Sequence, residues 1–213
     1  MNNGQHMKRL LPPLLLLLLL NACTTTPPAP EDHYYRLITS ELPQPSTSPA
    51  IPGVLKVDPI KSYGIYRERA LLYTLEAQPE ALQQHHYHYW IDTPTRLIRD
   101  QLVDFLRASG VADSIAGSQV SLRGDLQLKL TLTRLERVIH TGQHVRVRVA
   151  LDAVITSADG KPVKITSYVR ETPATDASIP ASVAAINLAL NGIYFELLED
   201  LRALNSYQSD ASP

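Results

Sequence analysis

Cysteine is almost absent from this chain. Its single copy is Cys23, so beyond that position neither a disulfide nor a thiolate nucleophile can form, and any core must hold by packing alone. Basic charge is not in excess either. Without the first 22 residues, which carry Lys8 and Arg9, 18 basic residues face 21 acidic ones, a net charge near −3. That balance excludes a nucleic-acid footprint and a polybasic membrane patch. The sequence contains no Gly-x-Ser-x-Gly elbow, no His-Glu-x-x-His pair and no phosphate loop. No catalytic constellation, cofactor or resident metal is expected, and the chain reads as a non-enzyme. Phenylalanine and tryptophan are scarce too, two Phe and one Trp against ten Tyr. Tyrosine suits half-buried positions at sheet edges and interfaces, because its ring is apolar and its hydroxyl wants water or a partner.

What is present begins at the N-terminus. Lys8 and Arg9 lead into a leucine run over residues 14–20, closed by Leu20-Asn21-Ala22-Cys23. A membrane-spanning helix needs about 20 apolar residues, and Pro12, Pro13 and Asn21 bracket a much shorter stretch. A basic start, a short apolar core and a small residue before the cut describe an export signal. A plain secretory signal would leave Cys23 as an odd thiol. The sequence around it is similar to the lipobox of bacterial lipoproteins, in which the thiol takes a diacylglyceryl group and becomes the first mature residue. Residues 1–22 are therefore expected to be a lipoprotein signal peptide, with translation starting at Met1 or Met7, and Cys23 is the expected lipidation site. The remaining 191 residues suit one domain of ordinary size.

Residues 24–30 and 43–52 are rich in Pro, Ser and Thr and read as extended tether, with a short strand from His33 to Ile38 between them. Residues 23–52 are thus expected to be a lipidated, proline-rich lead, and residues 53–205 a globular domain. Val54, Leu55 and Val57 suggest a strand; residues 70–75 and 84–90 suggest two more, joined by a loop holding Pro79. Thr93 and Pro94 open a helix whose apolar stripe, Leu97, Ile98, Leu102, Phe105 and Leu106, runs to Gly110. Alternation from Leu122 to Leu132 and from Val145 to Ile155, then Asp159-Gly160 and the segment Val163, Ile165 and Val169, predicts a three-stranded antiparallel meander. A last helix is expected from about Ser178 to Leu204, with Gly192 as a weak point and residues 206–213 as a flexible tail. The fold class is α+β: a mixed, mostly antiparallel sheet with two long helices packed on it, in a single domain.

Candidate chemistry is sparse. His86 and His88 would project from one face of a regular strand, but only Asp92 lies near enough in sequence to add a ligand, so a solvent-facing strand of His and Tyr is the preferred reading. Glu196, Glu199 and Asp200 read as the solvated side of the last helix. Arg123-Gly124-Asp125 matches an adhesion tripeptide by chance, inside a strand. Arg134, Arg137, Arg146 and Arg148 form a candidate cationic sheet face, taken as an ordinary solvated one.

The order of features resembles the ABC-type transport auxiliary lipoproteins, the PqiC-like family. The resemblance is carried by the lipobox cysteine, by Tyr34, Tyr35 and Leu37 soon after it, and by Leu55 and Val57. It continues with Tyr63, Tyr66 and Arg67, and with Trp90 ahead of Leu97, Leu102 and Leu106. It implies a lipid-anchored protein on the periplasmic face of the outer membrane, where Thr24, rather than Asp, follows the lipidated cysteine. It also implies a role as auxiliary to an ABC-type system whose MCE-domain proteins move phospholipid or other hydrophobic molecules. The implied partners are the outer membrane, an MCE-domain protein, phospholipid and further copies of the chain. Tyr63, Tyr66, Tyr87, Tyr89 and Trp90 are the expected contact residues, with core burial as the alternative for Trp90. An assembly factor for outer-membrane components and a lipid-anchored hydrolase are the competing readings.

Overall fold

The computed structural model describes residues 29–117 and 124–210, leaving out the side chains of residues 143 and 205–210. Cys23, the leucine run, Leu122 and Arg123 lie outside the described residues. The elements are β1 (His33–Tyr35), β2 (Ile51–Val57), β3 (Lys61–Ser62), β4 (Ala70–Leu75), β5 (Gln78–Trp90), α1 (Pro94–Ser109), β6 (Ala112–Ala116), β7 (Leu126–Ile139), β8 (Val145–Ser157), β9 (Pro162–Pro173) and α2 (Ile179–Asp210).

The organising element is β7. Its leucines at 126, 128, 130 and 132 alternate with polar residues, so one face is buried and the other wet. One edge of β7 pairs antiparallel with β8 along its length, and β8 pairs antiparallel with β9 through the turn at Gly160, whose φ is 84°. The other edge is divided among three parallel partners: β2 at Leu126–Leu128, β3 at Thr131–Leu132 and β4 at Glu136–Ile139. Beyond β2 lies β6, and beyond β4 lie β5 and then β1. The result is one mixed nine-stranded sheet whose longest ladders are antiparallel.

Both helices pack on the same side. Helix α1 begins after Thr93 with Pro94 at its first position and ends at Gly110, left-handed at φ 61°. Ile98, Leu102, Phe105 and Leu106 are fully buried against Leu190, Ile193, Tyr194, Leu197, Leu198 and Leu201 of α2 and the sheet. Each such side chain contributes about 1.5–3 kcal/mol. The Tyr194 hydroxyl, fully enclosed, donates to Gln101 Oε1 at 2.9 Å, and the phenol is held above its ordinary pKa by burial. Residues 179–204 are long and apolar enough to cross a membrane, but the apolar 18-residue window within them is 67% buried inside the fold, as befits a core helix. The helix runs unbroken through Gly192, where the absent side chain leaves room for the Arg170 guanidinium.

Several expectations need correcting. Pro79 is not in the β4–β5 connection, which is the turn at residues 76–77; it is the second residue of β5, at an irregularity in the pairing where its missing N–H breaks no ladder bond. Residues 43–52 are not free tether. Ile38 N–H and Glu41 N–H donate to the side-chain oxygens of Asn187 and Asn191 on α2 at 3.1 and 3.3 Å. Pro43 is buried, Ser46 N–H donates to Ser109 O at 2.8 Å, and Ile51 already opens β2. The compact unit therefore starts at Asp32, not at Gly53. Strands β3 and β6 carry no period that a sequence reading could detect, being two and five residues long.

Candidate functional site

The free end of the sheet beyond β4 is built by an irregularity in β5. Leu72 pairs with Gln84 and Ala70 with Tyr89, so residues 85–88 of β5 stand opposite Leu71 alone. Tyr87, at φ 62°, is the one non-glycine residue with positive φ among the described residues. A side chain in that region costs about 1–2 kcal/mol. This bulge abolishes simple alternation. His86 and His88 do not form a pair. His86 is exposed beside Tyr87, whereas His85 and His88 meet edge to face with ring centres 6.0 Å apart. Among the described residues no group of three or more His, Cys, Asp or Glu side chains is placed to hold a metal ion.

Strand β1 closes this edge in parallel register, His33 on His88, Tyr34 on Tyr89 and Tyr35 on Trp90. The pairing sorts the aromatic side chains by face. Outward, the Tyr34 ring lies 5.9 Å from Tyr89, with the Arg69 guanidinium 5.6 Å from the Tyr34 ring centre. Tyr34 is 56% and Tyr87 43% exposed. Inward, His33 stacks on His88 at 5.1 Å, the Tyr35 hydroxyl lies 3.0 Å from His88 Nδ1, and Tyr73 packs 4.5 Å from His85.

The five expected contact residues thus divide. Tyr89 lies in the outward pair with Tyr34, Tyr87 is exposed beside His86, and Tyr63 is 65% exposed at the start of the turn Gly64–Arg67, beside a hollow of about 380 Å³ lined by Lys61, Arg67 and Thr95. Tyr66 donates to Glu136 Oε2 at 2.6 Å, and Glu136, which is buried, also accepts from Arg134 at 3.1 Å. Burial, then the bond to this carboxylate, raises the Tyr66 phenol well above its ordinary pKa. Trp90 is 2% exposed and belongs to the core.

The arginine face also divides. Arg146 and Arg148 share Glu171, and Arg134 pairs with Glu136, so each of these three is ion-paired on the outer face. Arg137 is on the other side. The register slips between Leu132 and Arg134, which brings Leu135 and Arg137 into phase with the buried face. Arg137 is 4% exposed and donates to Ser182 Oγ at 2.8 Å, to Ala177 O at 2.8 Å and to His85 Nε2 at 2.6 Å. Burial lowers its pKa. Sequence reasoning missed this group, although the three-residue step from Leu132 to Leu135 was a visible sign of the slip. Glu196 and Asp200 are not merely a solvated side of α2: Glu196 pairs with Arg170, and Asp200 accepts from Tyr168 and Lys164 at 2.7 and 2.6 Å, clasping α2 to β9.

This fold is similar to that of a solved Xanthomonas campestris protein of the family DUF330. It is 19% identical, with a TM-score of 0.74 over 84% of this chain and 99% of that one. An uncharacterised protein of known structure is 12% identical with a TM-score of 0.63, over 81% of this chain and 99% of that one. No curated protein matches the sequence. Residues 35–194, from the end of β1 to the core of α2, match the family model described as the ABC-type transport auxiliary lipoprotein component. The chain belongs to this family, whose members are auxiliary lipoproteins of ABC-type transport.

Proposed function

We propose that this protein is a non-enzymatic docking component anchored by Cys23 on the periplasmic face of the outer membrane. It receives there an MCE-domain protein of an ABC-type system that moves phospholipid or another hydrophobic cargo. The observation that carries the reading is the family match over residues 35–194. The lipobox-like Cys23 and the Thr24 that follows it support the location. Two or three acyl chains, at about 0.8 kcal/mol per buried CH₂, suffice as an anchor. Only residues 24–31 separate Cys23 from the compact unit, which limits the lead to about 30 Å when extended. The domain is thereby kept close to the bilayer surface. Tyr87, Tyr89 and Tyr63, together with Tyr34, are the contact residues of this reading, because exposed aromatic side chains on a rigid edge make efficient anchors. Further copies of the chain would multiply such contacts with one partner.

The test is capture of the native lipoprotein in detergent. It should retain an MCE-domain protein, and Tyr34→Ala with Tyr89→Ala should weaken that capture by about tenfold or more, the usual cost of losing an aromatic anchor. Cys23→Ser should leave the fold unchanged and abolish membrane retention. Repeated capture without any MCE-domain protein would overturn the partner, and full complementation by a soluble Cys23→Ser variant would overturn the anchor.

A further inference from the structure

The inward side of the β1–β5 edge gathers cationic and neutral groups, with no carboxylate hydrogen-bonded or ion-paired to them among the described residues. Arg137 from β7 faces His85 from β5, Tyr73 from β4 and Tyr35 from β1, while α2 and its approach supply Ser182 Oγ and the Ala177 carbonyl. His88 lies against His85 on one side and against His33 and Tyr35 of β1 on the other. Asp176 is engaged instead in capping Ser178 N–H at 2.7 Å, and Asp32 accepts from Tyr34 on the outward face.

A guanidinium can only donate hydrogen bonds. The 2.6 Å approach of Arg137 Nη1 therefore requires His85 Nε2 to be an unprotonated acceptor, with the ring proton on Nδ1. A proton on Nε2 turns that bond into two opposed donors and places a second cation against a buried one. Protonation of His88 places a further charge against the His33 ring, 5.1 Å between ring centres. His88, between His85 and His33, carries this repulsion to β1, a three-residue strand whose one pairing partner among the described strands is β5.

We propose that the His33–His88–His85–Arg137 stack is an acid-operated latch that holds β1 on the sheet at neutral pH and releases it under acid. The direction follows from linkage. Burial, with Arg137 second, lowers His85 from 6.5 to about 4, and burial with His33 and Arg137 lowers His88. A histidine depressed in the folded state contributes its full stabilisation above 6.5, and that contribution is lost as pH falls from there towards about 4. Release of β1 frees the outer edge of β5 and removes Tyr34 from its place over Tyr89.

Hydrogen exchange on the full chain tests this. After correction for intrinsic rates, protection of the amides of residues 33–37 should fall at least about tenfold from about pH 7 to about pH 4.5, while β7 and β8 stay protected. His85→Gln keeps an acceptor for Arg137 without a titrating ring, and should reduce the change to about threefold or less. If that variant fails to hold β1 at neutral pH, histidine NMR on the unmodified protein decides. His85 should carry its proton on Nδ1 at neutral pH and titrate with the same midpoint as the loss of β1 protection. Undiminished protection at acid pH, an equal acid response in His85→Gln, or a His85 midpoint near its ordinary value with β1 in place would each overturn the latch.

Discussion

Replacing Gly53 with alanine should destabilise the whole domain through its backbone and through one carboxylate oxygen. Gly53 has φ 86° and lies in the irregular stretch of β2 between Ile51 and Val54. Its N–H donates to Asp113 Oδ2 at 2.7 Å, and the next N–H, of Val54, donates to Asp125 Oδ2 at 2.8 Å. A methyl carbon at position 53 would stand 2.2 Å from that same Asp125 oxygen, so the carboxylate must leave. Two costs follow. An L-residue in the left-handed region costs about 1–2 kcal/mol. Loss of a bond to a charged acceptor costs about 1.5 kcal/mol at a partly solvated position, the low end of its range. The sum, about 3 kcal/mol, corresponds to a fall in Tm of about 6–12 °C for a chain of this length. Calorimetric melting of the Cys23→Ser protein measures it. The decisive comparison is the same change in an Asp125→Ala background, where only the backbone cost of about 1–2 kcal/mol remains. A fall of less than about 2 °C, or an equal fall in both backgrounds, would refute the assigned mechanism.

Two further outcomes test the packing of α2. Asn187→Ala with Asn191→Ala should free residues 36–42 from the helix at a cost of about 1–3 kcal/mol in local stability; faster exchange of the Ile38 and Glu41 amides with unchanged exchange in β8 is the signature. Gly192→Ala should be neutral or stabilising by up to about 1 kcal/mol, measured by denaturant midpoint. The new Cβ would meet only the far end of Arg170, 3.4 Å away, and that side chain can yield.

Much of the fold was legible because the elements with strong local chemistry are also the long ones. Thr93-Pro94 and Gly110 bound α1 where the sequence placed its ends. The Leu126 to Leu132 and Val145 to Ile155 alternations form the central ladder, and Asp159-Gly160 turns β8 into β9. What escaped was structure made by tertiary contact alone. Residues 43–50 look like tether in composition, and what holds residues 36–50 down is the side chains of Asn187 and Asn191, the carbonyls of Ser109 and Val111, and the burial of Pro43. Nothing in their own sequence announces those partners.

The candidate site escaped for a different reason, which is that it is made from departures from strand period. In a regular β5, His86 and His88 share a face and His85 opposes them; with Tyr87 at positive φ and residues 85–88 set against Leu71, His85 and His88 converge instead. In a regular β7, Arg134 and Glu136 would share the buried face with Leu130 and Leu132; the slip after Leu132 sends them outward to Tyr66 and carries Arg137 inward to His85. Both irregularities are needed to bring one guanidinium against one imidazole. A strand slip costs ladder bonds and, at Tyr87, backbone strain, and it persists only where the surroundings fix it. Here the surroundings are β1 and the start of α2. The edge that presents Tyr34, Tyr87 and Tyr89 outward is therefore positioned from behind by the buried arginine, and a change at Arg137 should reach the outward aromatic strip without touching it.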